Sequence, residues 1–270
     1  MIIAKEFIKK AVLPSVLMAF VSLFMLLISN QEVSAGIATT KHNLAYWATS
    51  NTTRSVDESR ICIFCHIPHA ADTDQVVPLW SHENTSATYT AYSTKYAGPS
   101  QPTGISKKCL SCHDGTVSVG ALLNFTIIDM VGNVDALGRL TGSANLGTDM
   151  TTLITPFGSY SESHPHAISF NYSTVATNYN NNEPGTEFQV PISAFNKSTM
   201  LDGDGKMQCH SCHDPHDDKA DSVLGARAAT NDPLWRKAVD CTGDNASVCG
   251  ACHLPARDTG VPCPDSNYDN

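Results

Sequence analysis

Four strings of the form Cys-x-x-Cys-His set the chemistry open to this chain: Cys62-Ile-Phe-Cys65-His66, Cys109-Leu-Ser-Cys112-His113, Cys209-His-Ser-Cys212-His213 and Cys249-Gly-Ala-Cys252-His253. Two thiols three residues apart lie on one turn and reach the two vinyl groups of a haem. The histidine that follows then points its imidazole at the iron from the same side. A shuffled chain of this composition would hold on the order of 0.01 such strings, so four are not chance. Cys-x-x-Cys pairs also bind zinc or exchange disulfides, but neither chemistry explains a histidine directly after every pair. The spacing points to four covalently attached haem c groups. Cys62, Cys65, Cys109, Cys112, Cys209, Cys212, Cys249 and Cys252 are the attachment residues, and His66, His113, His213 and His253 the proximal iron ligands.

Bis-histidine coordination of four irons needs four more imidazoles, and seven remain: His42, His69, His82, His164, His166, His210 and His216. An internal repeat ranks them. Residues 62–69 read C-I-F-C-H-I-P-H and residues 209–216 read C-H-S-C-H-D-P-H, and each is followed by a Pro-Leu-Trp, at 78–80 and 233–235. Each copy closes with another attachment string, 47 residues from His66 to His113 and 40 from His213 to His253. Two dihaem modules in tandem account for this pattern. His69 and His216 occupy matching sites. A residue three positions past an iron ligand cannot turn onto the opposite face of the same haem, so each is expected to reach a neighbouring one. His42 and His164 precede the first and second modules. The expected distal ligands are His42, His69, His164 and His216, with His166 as substitute for His164 and His82 in reserve. His210, inside an attachment loop, is expected to face outward. His42 lies on an arm that either folds back onto its own module or crosses to a neighbouring subunit.

The elements that position these groups are expected to be few. Residues 1–35 carry Lys5, Lys9 and Lys10, an apolar run over 11–29 and the small residues Val33-Ser34-Ala35, which together make an export signal. An uncleaved membrane anchor is the alternative, because the run is nearly long enough to span. Removal of its three lysines and two glutamates shifts the formal charge from −9 to −10. No basic patch remains to release counterions, which argues against nucleic acid as a partner. Export also permits disulfides, so the leftover Cys241 and Cys263 are expected to bridge around the last string. The expected organisation is a signal peptide over 1–35, a first dihaem module over 36–130, a haemless insert rich in Ser, Thr, Asn and Gly over 131–200, and a second dihaem module over 201–270.

Aromatic residues make up 7 % of the chain and charged residues 16 %, too little for a conventional core. Porphyrins would supply the missing apolar surface. The expected fold is a multihaem cytochrome c: mostly irregular coil, with short helical turns at the attachment strings and a few short β-strands, wrapped around four stacked haems. Alternation over 167–175 suggests a strand, and a helical segment is expected near 221–229. Asp202-Gly-Asp-Gly-Lys206 lacks the third oxygen ligand and the closing Glu of a calcium loop, so a plain turn is expected. Trp80 and Trp235 are expected to pack against porphyrin faces rather than to relay electrons. Six Asn-x-Ser/Thr sequons, at Asn51, Asn84, Asn124, Asn171, Asn196 and Asn245, reflect the Asn- and Ser-rich composition.

The paired C-x-x-C-H-x-P-H strings, the Lys41-His42-Asn43-Leu44 opening and the Ser163-His164-Pro165 element resemble doubled-motif multihaem cytochromes. With four haem strings and an export signal, the chain is similar to the OmcE-like family of extracellular cytochrome filaments, or nanowires. The resemblance covers most of the mature chain. It implies bis-histidine haems in a continuous stacked row, subunits polymerised head to tail into conductive fibres, and other multihaem cytochromes and extracellular electron acceptors as partners. Three functions then compete. They are extracellular electron conduction by a polymer, electron shuttling by a periplasmic or outer-surface monomer, and reduction of a substrate such as nitrite or hydroxylamine. Catalysis at a haem needs an exchangeable sixth position. Here histidines suffice for every iron, which sets the reductase last and makes the chain an electron-transfer protein rather than an enzyme.

Overall fold

The computed structural model describes residues 36–49, 51–73, 76–98, 100–151, 166–184, 188, 200–216 and 252. The chain divides into a unit Met1–Ala35 and a unit Gly36–Asn270. The first unit lies outside the described residues, as do the segment near 221–229 and the two leftover cysteines. No helix among the described residues is long and apolar enough to cross a membrane.

Regular structure is brief. β1 (Arg54–Ser55) pairs antiparallel with β2 (Met130–Val131), and β3 (Phe170–Asn171) with β4 (Lys206–Met207). The described helices are α1 (Gly104–His113) and α2 (Tyr172–Asn182), with 3-10 turns at Gly36–Thr39, Cys62–Phe64, Gly142–Ala144 and Cys209–Ser211. The first and third attachment strings thus sit on single tight turns. The second ends a ten-residue α-helix, longer than the short turn expected of it. Nothing in Ile105 to Leu110 breaks a helix, and Gly104, at φ +53°, turns the chain into it after Pro102-Thr103.

The alternating stretch 167–175 yields only the two residues of β3 and then becomes α2. Asn171 decides this locally: its side chain accepts hydrogen bonds from Thr174 N and Thr174 Oγ1, both at 3.0 Å, which caps the helix. The start of the 131–200 stretch packs on the residues that precede it. Val131 pairs with Arg54, and Leu146 N donates to His113 O at 2.6 Å.

Among the described residues, apolar burial comes in three small clusters, and each includes a residue of a Cys-x-x-Cys-His string. Ile63 and Phe64 of the first string pack with Leu122 and Ile128. Leu110 of the second packs with Tyr89 and Met150. Cys252 of the fourth packs with Tyr172, Ala176, Met200, Leu201 and Met207. The residues between the paired cysteines are therefore the anchors that seat two of the strings.

Candidate functional site

The repeated Pro-Leu-Trp has a mechanical role in its first copy. It folds back on the first string: Ile67 N donates to Leu79 O and Ser81 N to Cys65 O, both at 2.9 Å. Leu79, at φ +56°, turns the chain beside Pro78, whose carbonyl lies 2.7 Å from His66 Nδ1. In the same way Ala144 O lies 2.9 Å from His113 Nδ1. Each carbonyl fixes the Nδ1–H tautomer, leaving Nε2 as the basic nitrogen, as the outer shell of a metal-bound imidazole requires.

Two of these histidines face a second histidine drawn from elsewhere in the chain. His66 and His216 have ring centroids 6.1 Å apart with planes at 19°, and His113 and His42 are 6.0 Å apart with planes at 71°. Two imidazoles on opposite sides of one metal, each bonded at about 2 Å, place their ring centres roughly 6 Å apart. Both pairs have that spacing. His216 thus lies 6.1 Å from His66 of the first string, and His42 lies 6.0 Å from His113 of the second. Among the described residues no three His, Cys, Asp or Glu side chains converge as a zinc site needs. The pairs have the residue type and spacing that two axial ligands of a haem iron would need.

Burial sets the charge state. Desolvation, then the neighbouring His113, His216 and His213, push the His42 pKa from 6.5 down to about 3. Burial likewise holds His113 below the ordinary range. Both rings are therefore neutral, with a lone pair to give to a metal. Among the described residues His42 Nδ1 is buried with no hydrogen-bond partner, and so is Trp80 Nε1, a donor of the kind a haem propionate would accept. Trp80 itself is buried beside His82, centroids 6.2 Å apart, and under Lys108 Nζ at 5.8 Å. The buried Lys108, directly before Cys109, pairs with Asp72 at 2.7 Å and so ties the second string to the loop after the first.

The attachment thiols cluster. A contact with Cys209 and burial raise the Cys109 thiol pKa, and burial pushes Cys65 and Cys112 up to about 12. The third string is held against α1 by a polar hub that the sequence did not announce. The buried Gln208 Oε1 accepts from Ser106 Oγ and Ser169 Oγ, and Cys209 N donates to Ser106 Oγ at 3.0 Å.

The remaining expected ligands are distributed as follows. His69 is exposed and makes no hydrogen bond or ring contact among the described residues. His213 is half-buried, and Cys62 is exposed. His164, Cys249 and His253 lie outside the described residues. His82 is fully buried, with Nδ1 2.7 Å from Glu83 O and Nε2 3.0 Å from Ser118 O, so backbone engages both nitrogens. His166 is exposed and stacks on Phe170 at 6.4 Å. His210, expected to face outward, is half-buried, with its Nδ1 out of reach of solvent. Asp202 forms a plain turn in which Oδ1 accepts from Asp204 N and Lys206 N. No protein-family model matches the chain, and no curated protein matches it.

Proposed function

We propose that this chain is an exported tetrahaem c-type cytochrome that carries electrons outside the cytoplasm, assembled head to tail into a filament with a continuous row of bis-histidine haems. The observation that carries the electron-transfer reading is the pairing of His66 with His216 and of His113 with His42 at the spacing of two axial ligands. When bound, the haems supply one-electron chemistry at iron and closely spaced porphyrin edges along which electrons pass.

The chain's own residues do the rest. The paired cysteines tether each porphyrin. Pro78 O and Ala144 O orient the proximal rings. Burial keeps His42 and His113 unprotonated, and a histidine on each side of a haem iron would leave no position for a substrate, which favours electron transfer over reductase activity. The packing of α1 against the third string brings the attachment sites of the two modules together, as a relay requires. The filament, rather than a monomeric shuttle, rests on the family resemblance, and the exposed His69 is available for a contact between subunits.

The test is mass analysis and optical spectroscopy of the secreted protein. Four covalent haems per mature chain and a wholly low-spin oxidised spectrum are expected. A chain without covalent haem overturns the reading, and a strong high-spin component favours the reductase.

A further inference from the structure

The ring of His42 differs from the other three in the two pairs. His66 and His113 each have a backbone carbonyl at Nδ1, and His216 has the Asp214 carboxylate 3.6 Å from its Nδ1. Among the described residues His42 Nδ1 is buried with no partner, so none of their hydrogen bonds sets the rotation of its ring. Its aim must come from the backbone that carries it.

That backbone is closed by one side chain. Asn51 is 6 % exposed, and its Nδ2 donates to Thr40 O at 2.9 Å and to Asn43 O at 2.8 Å, the carbonyls on either side of His42. Both amide hydrogens are used. The loop is tightened further by His42 N donating to Thr40 Oγ1 at 3.1 Å and Asn43 Nδ2 donating to Ala38 O at 2.7 Å. Asn51 is the member that reaches in from outside the loop, eight residues beyond Asn43.

We propose that Asn51 is a positioning residue for His42: its amide clamps the 40–43 loop so that the imidazole stands opposite His113. This rests on the ligand pairing above. Two further consequences follow. The Asn51-Thr52-Thr53 sequon is closed to glycosylation, because a glycan needs the nitrogen that the clamp uses. Asn51→Asp, the smallest change in shape, sets a carboxylate oxygen against two carbonyl oxygens and opens the loop.

The experiment uses the secreted, haem-loaded protein with Asn51→Asp, and with Asn51→Ser should the first variant fail to accumulate. Losing the clamp is expected to give a high-spin fraction at one haem in four. The ferrous protein should bind carbon monoxide at that haem about tenfold faster than wild type, the factor for roughly 1.4 kcal/mol of lost hydrogen bonding. Added imidazole should restore the low-spin spectrum, and in a His42→Ala background the Asn51 change should add no further high-spin haem. A merely structural role would instead lower haem loading or disturb several haems. Asn51 variants with wild-type spectra and wild-type carbon monoxide rates, beside a His42→Ala protein with one high-spin haem, would overturn the clamp alone. A His42→Ala protein with every haem low-spin would overturn the pairing on which the clamp rests.

Discussion

An imidazole binds metal through a lone pair, so a buried, neutral histidine is prepared to do so. His42 meets that condition through burial and through the other rings beside it, which hold its pKa at about 3. The sign of the pH dependence follows. With the folded value depressed below 6.5, the contribution of neutral His42 is complete above that pH and is lost as pH falls toward about 3. Acid titration of the oxidised protein should therefore leave His42's haem low-spin through the ordinary histidine range near 6.5 and convert it to high-spin only as pH falls to about 3, and conversion near 6.5 would contradict the assignment. His42→Ala and His216→Ala should each turn a different single haem high-spin. His82→Ala should leave all four low-spin and lower stability by about 1–3 kcal/mol, since it strips buried carbonyls of their partner. Redox-monitored absorbance and denaturant unfolding separate these outcomes. A high-spin haem in His82→Ala would return that residue to the ligand set.

At the scale of elements, α1 is fixed at both ends by polar groups in addition to the burial of Leu110. Its C-cap, Asp114, has a carboxyl whose ionisation burial opposes. Hydrogen bonds from Tyr89, Thr85 and Thr116 outweigh that and hold its pKa below the ordinary carboxylate range. Tyr89 OH donates to Asp114 Oδ2 at 2.6 Å. Tyr89→Phe should therefore cost about 1–3 kcal/mol in denaturant unfolding, because the charged acceptor loses a donor. A loss of only a few tenths would show that water takes the place of the phenol. Near the start of the helix, Gln208→Leu removes the acceptor of Ser106 and Ser169 and should loosen the third string from α1, at a cost of about 3 kcal/mol.

The Cys-x-x-Cys-His strings stand out in the sequence because the thioether and iron chemistry proposed for them would fix such a spacing. The repeat singled out His216, and position alone singled out His42. The partners of these two rings were not legible, because they depend on long-range packing through polar residues with no periodic signal, Gln208 and Ser106 beside the string before His216 and Asn51 beside His42. The same limit explains α2. One Asn171 cap turned an alternating stretch into a helix, and a capping hydrogen bond weighs little in a hydrophobic pattern.

For the molecule as a whole, the apolar clusters among the described residues hold only a few residues each and include residues of the Cys-x-x-Cys-His strings, so the proposed haems would carry much of the fold's stability. Blocking haem attachment, for example with Cys109→Ser and Cys112→Ser together, should lower the yield of folded secreted protein far more than the loss of two small side chains would. Normal secretion and a cooperative unfolding transition in that variant would contradict this dependence. Asn51 should carry no glycan, because its side chain is buried and both amide hydrogens are engaged. The most direct test of the central claim is a cryo-electron microscopy map of the secreted, haem-loaded protein, at a resolution that shows each imidazole. The expected map places one haem between His66 and His216 and another between His113 and His42 of the same chain, in a row that continues from subunit to subunit. A map in which either iron is capped by water, or by any other residue of this chain, would contradict it.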